Sequence, residues 1–195
     1  MSRPRLGIMI AVLAVAVGTA VALWWIYPTG DEEPDAGVVE EQPPDPDEEV
    51  ETEAMRPCDL YFPGLGGRLY VEQREIAAGA GAVELITHLV EALIAGPQGT
   101  SLRPPLPDGV TVGQVYLMEG GTVIVDLQSP EPAPPSSGSL REMLTVYSLV
   151  NSVLFNVDEA EQLVLLWNGQ QPSTFSGHLN TAGPLVPNPR LVARR

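Results

Sequence analysis

Few residues in this chain could do chemistry, and their spacing limits what that chemistry could be. Glu84, His88 and Glu91 lie four and three residues apart, which puts them along one face of a helix. Such a face offers a metal at most three ligands where a closed structural site wants four, so a solvated face is expected, with no metal and no cofactor. The second histidine, His178, follows Gly177 in a polar stretch. Catalysis there would need a nucleophile and an orienting acid beside the ring. No G-x-S-x-G motif marks one serine above the others, so His178 is expected to hydrogen-bond backbone and fix the C-terminal segment. A serine or carboxylate next to His178 in a cleft would revive a hydrolase reading; otherwise the chain is expected to be no enzyme, with no catalytic residues.

Other reactive groups are scarcer still. Cys58 is the single cysteine, which excludes an intrachain disulfide and leaves an intermolecular bridge or, as favoured, a small buried residue at the start of a strand. The chain has ten basic residues, all arginine. A P-loop lysine, a Schiff-base lysine and a lysine general base are therefore excluded. The glycines at 64–67 and 79–81 do not make G-x-G-x-x-G, so nucleotide binding is unsupported.

These residues must be carried by a small set of elements. "CDLYFP" (58–63) and "LYVEQREI" (69–76) read as two strands around a glycine-rich turn, with Leu60 and Phe62 on one face. From 81 to 95 the residues Val83, Ile86, Leu89, Val90, Leu93 and Ile94 recur at helical spacing, opposite Glu84, His88 and Glu91. Gly96-Pro97 ends that helix, because Gly suits a left-handed terminal position and Pro cannot continue the ladder. "VTVGQVYLM" (110–118) and "TVIVDLQ" (122–128) flank Gly120-Gly121 as a β-hairpin at the sheet centre. Ser139-Leu140-Arg141-Glu142 matches a capping box at the start of a second, largely buried helix, in which Arg141, Thr145, Ser148 and Ser152 make a narrow polar arc. "QLVLLWNG" (162–169) is apolar on both faces, as an interior strand would be. The order ββαββαβ predicts an α+β domain: a mixed β-sheet with both helices packed on one face.

What precedes the domain has a different character. Leu6–Tyr27 is a 22-residue run without a charge, long enough for a membrane span. Arg3 and Arg5 precede it, and Trp24, Trp25 and Tyr27 close it as an aromatic belt, so Leu6 to Tyr27 is expected to anchor the chain with its N-terminus in the cytoplasm. A cleavable signal peptide is the alternative, but the run exceeds the usual apolar region and ends in Trp-Trp. A lipoprotein would need its cysteine directly after the run, and Cys58 comes about thirty residues later. Of the net charge of −15, residues 30–55 supply twelve acids and no base. With four prolines and no aromatic residue between Asp31 and Glu53, this stretch is expected to be a disordered acidic spacer. Residues 56–195 carry eight arginines against thirteen acids, a balance that argues against nucleic acid as a partner. The expected divisions are 1–28 (cytoplasmic tip and anchor), 29–56 (linker), 57–187 (domain) and 188–195 (basic tail).

Four stretches together resemble the GerMN domain family of sporulation and germination proteins: "LYFP" (60–63), "LVEALIAGP" (89–97), "LPDGVTVGQVYLMEGGTVIVDL" (106–127) and "LVLLWNGQQPSTFSGHLNTAGPL" (163–185). On that resemblance Gly96, Pro97, Asp126, Gly169, Gly177 and His178 are the structural motif positions. The founding proteins carry tandem copies, and here a single copy follows the anchor. The resemblance implies an extracytoplasmic assembly or interaction module of the bacterial envelope, in a sporulation or germination setting, binding an envelope protein or itself through a sheet edge or the polar helix face. The alternative is a binding module for a cell-wall glycan or small ligand, which would show a pocket lined by Tyr61, Tyr70 or Trp167.

Overall fold

The computed structural model describes residues 54–194; the expected anchor, including Leu6, Trp24, Trp25 and Tyr27, and nearly all of the acidic linker lie outside them. Among the described residues no helix is long and apolar enough to cross a membrane. The elements follow the predicted order: β1 (Met55–Pro63), β2 (Leu69–Ala77), α1 (Ala82–Ile94), β3 (Thr111–Met118), β4 (Thr122–Gln128), α2 (Ser139–Leu154), β5 (Gln162–Trp167) and a 3-10 turn, Pro189–Leu191. β1 starts ahead of the expected boundary at 57. The expected basic tail is part of the fold, since Ala193 N–H donates to Leu69 O at 2.8 Å and Val192 bridges the start of β2.

The single expected sheet is divided in two. β1 and β2 form an antiparallel pair, and β3, β4 and β5 form a separate sheet, antiparallel between β3 and β4 and parallel between β4 and β5. The reason lies on the outer edge of β1. In an antiparallel pair alternate residues point their backbone groups away from the partner strand, and on β1 these are Asp59, Tyr61 and Pro63. Asn156 Oδ1 accepts from Asp59 N–H at 3.0 Å, and Asn156 Nδ2 donates to Asp59 O at 2.8 Å. Ser152 Oγ accepts from Tyr61 N–H at 2.9 Å, and Ser148 Oγ donates to Tyr61 O. Pro63 has no N–H to satisfy, and its carbonyl accepts from Arg103 N–H at 2.9 Å.

The helix therefore acts as the missing neighbouring strand. Positions 148, 152 and 156 rise about 6 Å per step along α2 and the turn after it, close to the roughly 6.7 Å between alternate residues of a strand. Ser148 and Ser152, expected on a polar arc, are fully buried against β1, because their partners are backbone groups and not water. With that edge consumed, β1 cannot join the second sheet.

Two further expectations change. β5 lies at a sheet edge and β4 is the interior strand: Leu163, Leu165 and Trp167 are buried while Val164 and Leu166 are half-buried, so apolar residues on both faces do not here mark an interior position. Val83 is exposed at 41 %, and Leu85 takes its place in the buried face of α1 with Ile86, Leu89, Val90 and Leu93. These pack with Leu60, Phe62, Val125, Leu127, Leu149, Val153, Leu163 and Leu165 into the main core. On the other face of β1 and β2, Tyr61, Leu69 and Leu144 make a smaller cluster with Val192.

If α2 substitutes for a strand, each lost side chain strands a buried backbone group. Ser148→Ala and Ser152→Ala should each cost about 1–2 kcal/mol, and Asn156→Ala, which orphans both a donor and an acceptor, about 2–3 kcal/mol. Urea unfolding of the purified chain measures this; losses below about 0.5 kcal/mol, the level of ordinary surface substitutions, would contradict it.

Candidate functional site

The motif positions form three separate structural locks. Gly96 has φ 83° and closes α1, with its N–H donating to Leu93 O at 3.1 Å. Arg74 on β2 reaches this helix end, donating to Ala92 O at 3.3 Å and Gly96 O at 2.7 Å, and its guanidinium pairs with Glu72. The Glu72 carboxylate then accepts from Gln98 N–H at 3.1 Å and Gly99 N–H at 3.0 Å, just past Pro97. Burial alone pushes the Glu72 carboxyl up, but those backbone donors and Arg74 outweigh it and hold it below its ordinary value. In the second lock Asp126 and Gly169 meet directly: Asp126 Oδ1 accepts from Gly169 N–H at 2.8 Å, where φ of 76° suits a residue without a side chain.

The third lock is centred on a residue that sequence reasoning placed elsewhere. Glu142 does not close a capping box. Gly138, with no side-chain cap bond, stands at the helix N-cap, Ser139 is already helical, and the Glu142 side chain is completely buried beneath the loop after β5. Its carboxylate accepts from Ser176 N–H at 2.6 Å, His178 N–H at 3.0 Å and Leu179 N–H at 2.9 Å. The His178 ring completes the set, with Nδ1 2.9 Å from Glu142 Oε2. Gly177, at φ 105°, permits the turn that aims these donors inward. Burial by itself raises the Glu142 carboxyl, while the three backbone donors and His178 together bring it below its ordinary value.

The condition stated for a hydrolase reading, a carboxylate beside His178 in a cleft, is thus met. A carboxylate holds His178 Nδ1, half of a catalytic triad's geometry, and His178 lines a cavity of about 380 Å³ with Ser139, Leu140, Met143 and Leu179. The other half is not assembled, since among the described residues Ser139 Oγ makes no hydrogen bond to the His178 ring. What the arrangement does chemically is bind a loop: one carboxylate organises four donors from 176–179.

The remaining candidates separate. His88 Nδ1 lies 2.9 Å from Ala77 O and Glu84 accepts from Ala80 N–H, so two of the three helix-face residues are engaged with neighbouring backbone. Among the described residues no group of three or more His, Cys, Asp or Glu could hold a metal ion. Cys58 is buried in β1, and burial pushes its thiol up, away from the reactive thiolate. Tyr61, Tyr70 and Trp167 line neither of the two cavities at the start of α2. Tyr61 packs on Phe155, Trp167 meets Phe175 edge-on at 5.8 Å and donates to Glu131 O, and Tyr70 folds over Gly64. Another cavity, about 580 Å³, lies between the β1–β2 turn, the proline loop and the start of α2, with Arg103 and Arg141 in its wall.

Comparison with known proteins agrees with this architecture. The family model described as Germane, sporulation and spore germination, matches residues 59–173, more than half of the chain. A candidate lipoprotein from Clostridium perfringens has a similar fold, with a TM-score of 0.51 at 22% identity over 73% of this chain and 95% of that one. The tandem GerMN domains of the Bacillus subtilis sporulation protein GerM give a TM-score of 0.52 at 16% identity over 68% of this chain and 46% of theirs. At these identities the likeness is one of fold. No curated protein matches the sequence significantly.

Glu142 makes the fold acid-sensitive in a defined direction. A carboxyl whose folded-state pKa is depressed contributes stability that is fully present above its unfolded value, about 4.3, and is lost as pH falls through the lower folded value. Glu142→Gln should lower stability by about 2–4 kcal/mol at pH 7 and flatten the loss below pH 5, as read by urea midpoints across pH 3–7. An unchanged acid slope would count against this role.

Proposed function

The chain belongs to the Germane family of sporulation and spore germination proteins, and from that membership we propose that it is a membrane-anchored module that works outside the cytoplasmic membrane by binding an envelope protein or a second copy of itself. The observation that carries this reading is the outer face of the β3–β4–β5 sheet. Tyr116, Ile124 and Val164 are directly paired across the three strands and form one apolar row on that face. Tyr116 is 48 % and Met118 53 % exposed beside it. An apolar row of this kind, with Tyr116 and Met118 exposed, is what a protein interface covers. The outer edge of β1, by contrast, is no longer available for strand addition.

The anchor in this proposal is the Leu6–Tyr27 run. Lipid attachment, which the description of the Clostridium perfringens relative implies for that protein, fits poorly here because Cys58 is buried in β1. Catalysis is not part of the proposal: the Glu142 carboxylate is occupied by three backbone donors, and among the described residues no nucleophile is bonded to the His178 ring.

A photo-crosslinking residue placed at Tyr116 in the full-length chain in living cells should capture a specific partner or a second copy. The same residue at Glu91, on the polar face of α1, should not, and Met118→Lys should reduce capture at Tyr116 by about tenfold or more, as expected when a charge enters an apolar contact. Capture only at Glu91 would move the interface to the helix face, and capture at neither would overturn the proposal.

A further inference from the structure

The cavity of about 580 Å³ is a second, separate feature, lined by no residue of β3, β4 or β5 and within the 300–1,000 Å³ range of small-ligand sites. Its charges are Arg103 and Arg141, and no acidic side chain lines it, although the domain as a whole is acidic. Neither arginine side chain forms an ion pair or hydrogen bond among the described residues. Both lie at exposed positions, so their guanidinium groups are hydrated and free to receive an anion. Arg141 also sits in the first turn of a 16-residue helix, where the helix dipole disfavours a cation. The N-cap there is Gly138, so the first backbone N–H groups of α2 have no side-chain cap, and residues 138–141 line the same cavity.

The rest of the wall is of two kinds. Leu65, Leu140 and Leu144 are apolar, and Leu65 and Leu140 are exposed at 71 % and 49 %. Gly66 and Gly138 bare the main chain at the rim, with nothing within 4 Å of where a side chain would begin, which lets a ligand's own backbone approach closely. An oxyanion matched to two arginine forks, an apolar body against leucines and main-chain groups beside glycines together describe one ligand chemistry.

We propose that this cavity binds the free C-terminal carboxylate of a short peptide with apolar side chains. The carboxylate lies between Arg103 and Arg141 at the start of α2, and the last side chains rest on Leu65, Leu140 and Leu144. The site does not depend on the sheet-face interaction; either can fail without the other.

Calorimetric titration of the full-length chain in an uncharged detergent tests it, using acetylated tripeptides ending in Ala, Val or Leu, each as free acid and as C-terminal amide, with inorganic phosphate as a competitor. At least one free acid should bind at one per chain, its amide should bind at least tenfold more weakly, and Arg103→Gln and Arg141→Gln should each weaken the acid by about tenfold, the worth of one charge-assisted contact. Both substitutions are at exposed positions, and unchanged thermal unfolding verifies that the variants are folded. No saturable binding by any free acid, equal binding of acid and amide, or unweakened binding by both variants would overturn the proposal. Phosphate competing as strongly as the peptide acids would reassign the cavity to a simple oxyanion and overturn the peptide.

Discussion

The structure depends on a row of polar side chains that a helix presents to the edge of a strand. A strand edge buried in a protein must find partners for its backbone groups, since a buried unpaired N–H or C=O costs about 1–3 kcal/mol. Another strand is the usual solution. Here Ser148, Ser152 and Asn156 meet the four outward-facing backbone groups of Asp59 and Tyr61, and Arg103 N–H meets the Pro63 carbonyl. Once α2 is joined to β1 in this way, β1 and β2 cannot extend the other sheet. α2 is also fixed along its length, which sets the position of both its ends. At its start, Glu142 then reaches the loop after β5, and Arg141 reaches the cavity.

This explains why the fold class and element order are legible in the sequence while the arrangement of the sheets is not. Periodicity identifies α1, the β3–β4 hairpin and β5, and Gly96-Pro97 and Gly120-Gly121 mark where they end, because those signals depend on local geometry. The polar arc of α2 carries no such label. Serines and an asparagine at i, i+4 and i+8 look the same in sequence whether they face water or the backbone of a strand some ninety residues earlier. β5 misleads for a related reason: Val164 and Leu166 suggest a strand covered on both sides, whereas they belong to the open outer face of the sheet.

The candidate sites divide the same way. Gly96, Asp126, Gly169, Gly177 and His178 are found through the family resemblance, and each is engaged in backbone organisation. Glu142 is hidden by a competing local explanation, since Ser-x-x-Glu ahead of an apolar run is the ordinary sign of a helix start. Its true partners are thirty-four to thirty-seven residues away. Arg103 and Arg141 are separated by a hairpin and two loops, and only the fold brings them to one cavity. A cation in the first turn of a helix is the one local signal that could have pointed to Arg141.

The role of α2 as a surrogate strand is open to direct measurement by native-state hydrogen exchange, resolved for each amide by NMR. The Asp59 and Tyr61 N–H groups face away from β2 and donate to side chains of Asn156 and Ser152. If that row is the constraint on which the fold rests, these two amides should open only with the whole domain, within about 1 kcal/mol of Leu60 and Phe62, which face β2. Exchange of Asp59 and Tyr61 at the rates of solvent-facing edge amides, while Leu60 and Phe62 stay protected, would contradict it.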